Sequence, residues 1–236
     1  MAQAIFKHWF VDFEFPNEEG KPYKSSGGEM VESELGLIPK GWTVKRLNEI
    51  VEIKRGASPR PIQDYLSSKG MPWVKISDAT ASKSKYISST KEYIKFEGVS
   101  KSKRVLPGTL LLSNSATPGL PKIILIEACV HDGWLIFDNY NGLPKEYLYY
   151  LLLFERTNLL SLSNGSVFRN LKTDILKQYK VIIPEKKYID IIKLTLQSIN
   201  DAIKINEIES ARLINIRDAL LPKLMSGQIR VPIEDQ

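Results

Sequence analysis

The sequence predicts an α+β protein in which an irregular mixed domain is followed by a long α-helix that pairs with a partner helix. Between residues 41 and 184, short strand-like runs and helices follow one another without the regular alternation of a parallel α/β sheet. Residues 185–221 contain neither glycine nor proline, and their apolar side chains recur at the 3–4 spacing of a coiled-coil seam. These changes in character divide the chain into segments 1–40, 41–184 and 185–236.

The first segment opens with an aromatic stretch, Ala4–Pro16, and continues into a polar linker that contains Gly, Ser and Pro. The opening residues AIFKHWF align with ALLPKLM, residues Ala219–Met225. The match indicates that the opening stretch forms the last turns of a spacer helix equivalent to the long one, with the main length of that helix missing. The aromatic side chains expected to pack near the base of the long helix are Trp9, Phe10 and Phe13.

The sequence of the middle segment predicts a helix, then strands, and a second helix before the last strand. Thr43–Gly56 carries apolar residues at helical spacing and ends in glycine, which favours a helix. A second helix is expected at Pro144–Arg156, with proline in its first turn. The β-rich runs that predict strands are Met71–Asp78, Thr109–Ser113, Lys122–Val130 and Lys180–Glu185.

The last segment predicts a helix of about 36 residues, which would be roughly 54 Å long. Such an apolar helix needs an equally long partner from another copy, another protein or a part of the native polypeptide outside this sequence. An amphipathic helix that folds back on its own domain is the alternative. Asn206 within the seam would fix the register and the number of partners. The residues expected to pair are Ile189, Ile192, Leu196, Ile199, Ile203, Asn206, Leu213 and Leu220.

The net charge of +6 is unevenly distributed. Residues 1–36 carry 3 basic and 7 acidic side chains, whereas residues 40–104 carry 15 basic and 6 acidic ones, a net of +9. Such an asymmetry suits a face that binds a polyanion, because each phosphate that is neutralised releases counterions. A lysine-rich solvated surface is the alternative that charge alone leaves open.

Several classes of protein are disfavoured by what the sequence lacks. No apolar run approaches the roughly 20 residues that span a bilayer. The single cysteine, Cys129, excludes a disulfide framework and fits a reducing cytosol. One cysteine and two widely spaced histidines do not form a zinc site of recognised spacing. There is no Gly-rich methyl-donor loop, no Asn-Pro-Pro-aromatic motif and no phosphate-binding loop. We therefore expect no catalytic residue, metal or cofactor; a metal-dependent nuclease built on Glu185 and Asp190 is a weaker alternative.

Three polar loops are suited to contact with nucleic acid: Lys54–Pro61, Ser113–Gly119 and Ser163–Lys172. Arg can bind guanine and Asn can bind adenine through two hydrogen bonds, while Ser and Lys more often hold the phosphate backbone. Solvated loops are the alternative, and Asn170 with Thr173 could simply begin a helix. The candidate DNA-binding residues are Lys54, Arg55, Ser58, Arg60, Lys75, Asn114, Ser115, Thr117, Asn164, Ser166, Arg169, Asn170 and Lys172.

An ordered set of motifs carries a family resemblance: LGLIPKGWTVKRLNEI, KRGASPRP, MPWVKISD, VLPGTLLLSNSATPG, NGSVFRNLKTDILKQYKVIIP and LLPKLMSGQIRV. Together they resemble the specificity subunit of type I restriction–modification enzymes across nearly the whole chain. The resemblance implies target-recognition domains, each followed by a spacer helix, with the helices paired as an antiparallel coiled coil. Each recognition domain would read one half of a split sequence in double-stranded DNA. Methylation subunits would bind this scaffold and restriction subunits would join them.

The chain departs from that pattern, because it carries one recognition domain and one complete spacer helix. It is either a natural half-subunit or a piece of a longer chain. A half-subunit can restore the arrangement as a cytoplasmic homodimer, whose two-fold symmetry would make the half-sites inverted copies. A coiled-coil scaffold that binds only protein is the competing function.

Overall fold

The computed structural model describes residues 1–81, 84–162 and 170–230. The α-helices there are α1 (Ala2–Phe10), α2 (Leu47–Ile50), α3 (Ile76–Ala81), α4 (Lys145–Phe154), α5 (Arg156–Ser161), α6 (Thr173–Gln178) and α7 (Lys186–Met225). The strands there are β1 (Met30–Ser33), β2 (Gly36–Pro39), β3 (Thr43–Arg46), β4 (Glu52–Arg55), β5 (Leu66–Ser67), β6 (Met71–Val74), β7 (Tyr86–Ile87), β8 (Glu92–Ile94), β9 (Lys103–Val105), β10 (Leu110–Ser113), β11 (Pro121–Ile124), β12 (Ala128–Val130), β13 (Trp134–Asp138) and β14 (Lys180–Ile183). Short 3₁₀-helices lie at Ile62–Asp64 and Phe96–Lys101.

Two five-stranded sheets organise the mixed domain, which confirms the α+β class. One has the strand order β4-β13-β10-β11-β7 and the other β5-β8-β6-β12-β9, and most neighbouring strands are antiparallel. The pairs β11–β7 and β12–β6 are parallel. The chain leaves the first sheet after β11, adds β12 to the second, and returns with β13. The turn at residues 131–133 is therefore where the chain crosses back between the sheets.

Both sheets contribute to one hydrophobic core. Leu111, Ile124 and Trp134 come from the first sheet, and Val74 and Val130 from the second; all five are fully buried. The indole Nε1 of Trp134 donates a hydrogen bond to the Val74 carbonyl oxygen at 3.1 Å. Burial of apolar area supplies the main stabilisation, and this hydrogen bond satisfies the polar atom of the buried ring.

The prediction of a single helix at Thr43–Gly56 is wrong. The segment forms strand β3, the four-residue helix α2 and strand β4. Val44 pairs with Ile182 on β14, and Ile53 pairs with Phe137 on β13. Long-range strand pairing therefore overrides the local helical spacing.

The other expected elements are confirmed with altered limits. Strands form within Thr109–Ser113 and Lys180–Glu185, and α4 forms within Pro144–Arg156. Met71–Asp78 divides into β6 and the start of α3, and Lys122–Val130 divides into two strands of different sheets.

Cys129 is fully buried, and burial raises the pKa of its thiol.

The opening aromatic stretch forms α1 and packs within the mixed domain. The Phe6 ring centroid lies 5.1 Å from that of Tyr147 and 5.6 Å from that of Phe154, both on α4. Phe15 follows α1 and lies 4.2 Å from Tyr188 at the start of α7. The stretch therefore contacts the base of the long helix through Phe15 and also covers α4. Of the three side chains expected near that base, Phe10 is buried, whereas Trp9 and Phe13 are half-buried, and their packing against the long helix stays a prediction.

We expect Phe6→Leu to lower the free energy of unfolding by about 1–2 kcal/mol, because it removes ring contacts and buried area from a fully buried position. Urea unfolding of the full chain measures the change. Val11→Ala, at a position that is 45% exposed, is the control and should cost much less. Equal stability of the two variants would contradict a structural role for the opening helix.

The chain divides into two compact units, Met1–Gln197 and Ser198–Gln236. Helix α7 is 40 residues long, and its first part belongs to the first unit. Within the residues that the structure describes, no helix has the length and apolar character needed to cross a membrane.

The predicted seam residues differ in exposure along α7. Ile189, Ile192 and Leu196 lie in the first unit and are buried. In the second unit Ile199 and Ile203 are half-buried and Asn206 is exposed. The large apolar side chains exposed on α7 in the second unit are Ile205, Ile208, Leu213, Ile214, Ile216, Leu220, Leu221, Leu224 and Met225. The second unit thus presents an apolar helix surface, and pairing through it stays a prediction.

Candidate DNA interface

Asp132, in the turn between β12 and β13, organises the loop that follows β4. Ser58 Oγ donates a hydrogen bond to Asp132 Oδ1 at 2.8 Å, and Arg55 Nε donates to the Asp132 carbonyl oxygen at 2.8 Å. The guanidinium nitrogens of Arg55 and Arg60 lie 3.7 and 3.5 Å from Asp132 Oδ2. Three predicted DNA-binding residues are thus gathered around one carboxylate.

The charge of Asp132 is maintained by these neighbours. Burial acts to raise the pKa of the Asp132 carboxyl, but the hydrogen bond from Ser58 and the charge of Arg55 outweigh it, so the pKa lies below its ordinary value. Arg55 and Arg60 remain 59% and 82% exposed. Their cationic groups are therefore oriented by Asp132 and still accessible to an anionic ligand.

The backbone holds the β4 loop against the same turn. Gly56 N–H donates to the Trp134 carbonyl oxygen at 2.9 Å, and Ala57 N–H donates to that of Val130 at 3.2 Å. A Cβ atom on Gly56 would lie 2.1 Å from the His131 carbonyl oxygen. Only glycine permits this approach, so the sequence signal that suggested a helix end reflects close backbone packing.

Asn114 links three segments from a buried position. Its side-chain amide donates to the Asp132 carbonyl oxygen at 3.0 Å, and its backbone N–H donates to that of Gly133 at 2.9 Å. Its own carbonyl oxygen accepts a hydrogen bond from Leu171 N–H at 2.8 Å. Asn114 is 5% exposed, so the structure gives it a connecting role and its contact with DNA stays a prediction.

A cavity of about 760 Å³ opens beside Asp132 and collects residues from separate parts of the sequence. Four of the predicted DNA-binding residues line it: Ser58, Arg60, Lys75 and Ser115. The lining residues that sequence reasoning did not single out are Pro59, Pro61, Ile62, Gln63, Trp73, Ile76, Ser77, Ala116 and His131. The lining combines the cationic Arg60 with apolar and aromatic residues, which suits an anionic ligand that carries flat rings.

The other predicted residues are placed less centrally. Lys54 Nζ lies 3.1 Å from both Glu52 and Asp138, so its charge is compensated within the protein. Lys75 pairs with Glu92. Thr117 N–H donates to the Ser115 carbonyl oxygen at 2.6 Å within its own loop. Asn170 and Lys172 are exposed just before α6, while Asn164, Ser166 and Arg169 lie outside the described residues.

Sequence reasoning also missed the short basic run at residues 101–104. Ser102 Oγ donates to the Ala57 carbonyl oxygen at 2.8 Å, which places this run against the β4 loop. Lys103 is exposed on edge strand β9, and Lys101 lies over the Tyr65 ring. The alternation of Lys, Ser, Lys and Arg was the signal that could have identified it.

Within the described ranges, no group of three or more His, Cys, Asp and Glu side chains is arranged to hold a metal ion. The Asp132 region and the cavity beside it offer oriented cations, hydrogen-bonding groups and aromatic rings. These are the elements of anion and base recognition.

Comparison with known proteins places the chain in a family. Residues 39–215 match the model of the type I restriction modification DNA specificity domain. The MjaIX type I restriction enzyme specificity subunit of Methanocaldococcus jannaschii is 27% identical over 243 residues, covering 98% of this chain and 52% of that protein. The resemblance seen in the sequence motifs is thereby confirmed.

Solved structures share the fold. The HsdS subunit of Thermoanaerobacter tengcongensis matches with a TM-score of 0.56 and 18% identity, over 97% of this chain and 50% of that one. A chain from a structure described as showing complex assembly and conformational transition of the type I R-M system matches with a TM-score of 0.52 and 20% identity, over 94% of this chain and 52% of that one. The chain thus spans about half the length of these relatives. It belongs to the type I restriction modification DNA specificity domain family.

Proposed function

We propose that the chain is the non-catalytic DNA-recognition subunit of a cytoplasmic type I restriction–modification complex and reads one half of a bipartite DNA target. One observation carries the proposal beyond family membership. The exposed Arg55 and Arg60 are gathered at Asp132, beside a cavity of about 760 Å³ that Lys75 also lines. Duplex recognition needs cations that hold phosphates and groups that reach base edges, and the exposed arginines and the hydrogen-bonding groups beside them support both roles.

The second part of the proposal is that two copies pair through the second unit. There α7 exposes large apolar side chains, including Leu213 at 56% and Leu220 at 43%. A helix with such a surface is stabilised when an equivalent helix covers it. Two-fold pairing would present two recognition domains to inverted half-sites.

Methylation subunits are the proposed protein partners, and restriction subunits would join through them. The support is the family and the likeness to a chain from a solved type I R-M assembly. No cofactor is assigned to this chain, because its proposed role is to bind and position DNA. A coiled-coil scaffold that binds only protein is the competing outcome of the next experiment.

We expect the chain to bind duplex DNA with an affinity that falls steeply as salt rises, and Arg55→Gln/Arg60→Gln to flatten that dependence. Each phosphate contact contributes about 0.9 to the slope of log affinity against log salt, so losing two contacts lowers its magnitude by about 2. Fluorescence anisotropy with a labelled duplex at several salt concentrations measures the slope.

The matched control is Lys24→Gln/Lys45→Gln, which removes two exposed positive charges outside the Asp132 region. It should leave the slope nearly unchanged. Equal effects of the two double variants would show that only overall charge matters. No duplex binding at low salt would favour the protein-binding scaffold and remove the proposed function.

A further inference from the structure

His131 lies immediately after β12, and its imidazole ring lines the cavity together with Arg60, Lys75 and Ser115. Its side chain is 20% exposed. The ring is therefore largely held by packing, yet a ligand that enters the cavity can reach it. Sequence reasoning does not single out this residue, because a lone histidine before Asp-Gly is typical of an ordinary turn.

One backbone hydrogen bond determines which ring nitrogen carries the proton. Gly133 N–H donates to His131 Nδ1 at 2.9 Å, so Nδ1 presents its lone pair and the neutral ring carries its proton on Nε2. Burial lowers the pKa of His131, and the positive charge of Lys75 adds to this, while the carboxylates of Asp132 and Asp78 act in the opposite direction. The net pKa lies below the ordinary value, so the ring is neutral at pH 7. His131 thus offers one oriented Nε2–H donor.

Gly133 is a positioning residue for this ring. A Cβ atom there would lie 2.2 Å from His131 Cε1 and 2.7 Å from Ser115 Oγ. Such distances are far below van der Waals contact, so any side chain at residue 133 would displace the ring or the hydroxyl. Glycine allows the backbone N–H to approach the imidazole from the side on which Nδ1 lies.

We propose that the cavity is a base-reading subsite in which His131 donates a hydrogen bond from Nε2 to N7 of a purine in the target DNA. The inference rests on the proposed function and names a ligand group for it. N7 is the major-groove acceptor that adenine and guanine share. Cytosine presents an amino donor that would oppose Nε2–H, and thymine presents its own acceptor, O4, so the expected preference is against cytosine. Arg60 lines the same cavity and is 82% exposed, and its positive charge favours the electron-rich purine edge over an amino group.

The test begins with selection of binding sequences from a pool of randomised duplexes by the full chain. His131→Phe keeps a ring of similar size but lacks the donor, and because one hydrogen bond is lost it should reduce discrimination at one base-pair position by about 2- to 10-fold. His131→Gln retains an N–H donor and should recover part of the preference at that position. Gly133→Ala should lose preference at the same position, which a general loss of stability would not reproduce.

A second measurement uses the unmodified protein, so it does not depend on the folding of a variant. Each purine of the selected sequence is replaced in turn by its 7-deaza analogue, which retains base pairing and lacks N7. One replacement should weaken binding by the unmodified chain and have no further effect on His131→Phe. Loss of affinity at no purine, or equal loss with both proteins, would overturn the inference. If the unmodified chain selects no sequence at all, the proposed function fails first and the inference falls with it.

Discussion

The double variant Leu213→Glu/Leu220→Glu is expected to sediment as a monomer under conditions in which the unmodified chain sediments as a dimer. Both leucines lie in the predicted seam, and both are exposed in the single chain. The change therefore leaves the packing of one chain intact. In a dimer, however, it would bury four carboxylates in an apolar interface, at a cost of several kcal/mol unless they are paired or protonated. Sedimentation velocity measures the outcome directly.

A matched control introduces the same two acidic groups elsewhere on the helix. Lys204→Glu/Arg212→Glu changes two exposed positions outside the 3–4 seam, which in a coiled coil face solvent. This variant should remain dimeric, and circular dichroism should show similar helix content in both variants. A dimer that survives Leu213→Glu/Leu220→Glu would contradict pairing through this seam.

Gly56→Ala is expected to lower the free energy of unfolding by about 3 kcal/mol or more and to abolish DNA binding. The new methyl group would lie 2.1 Å from the His131 carbonyl oxygen and 3.0 Å from that of Val130. Both contacts are with backbone, which cannot rotate away as a side chain would. The β4 loop would have to leave the turn at residues 131–133, with loss of the Gly56 and Ala57 hydrogen bonds.

Urea unfolding and duplex binding of the full chain test this result together. Gly142→Ala serves as the control, because no atom lies within 4 Å of a Cβ there. Its backbone φ of +74° makes alanine mildly unfavourable, so about 1 kcal/mol is expected. If the two variants were equally stable, the close approach at Gly56 would have no energetic weight.

The parts of the fold that sequence predicted are those decided by local pattern. Residues 185–221 lack helix breakers and carry a regular seam, and α7 spans Lys186–Met225. The segment Thr43–Gly56 was misread because Val44 and Ile53 belong to ladders with strands about 140 and 85 residues away along the chain, which no local window contains. The crossing of the chain between sheets after β11 was missed for the same reason.

The sequence predicts those residues of the candidate site that lie in loops of distinctive amino-acid composition. Arg55, Arg60 and Ser115 stand in polar, glycine-containing loops, and the structure brings all three to the region of Asp132 and the cavity. Asp132 and His131 were missed, since their importance comes from contacts with residues distant along the chain. Asn114 shows the converse: its residue type suggested base reading, but burial directs its amide to the backbone.

The position of Asn114 has a consequence for redesigning target preference. Its hydrogen bonds join the loop after β10, the turn at residues 131–133 and the approach to α6 into one connected unit. A single loop transplanted from a protein with another target would keep its own sequence but lose partners on the other two segments. Exchange of preference between such proteins should therefore require all three segments to be transplanted together, as one block rather than as interchangeable pieces.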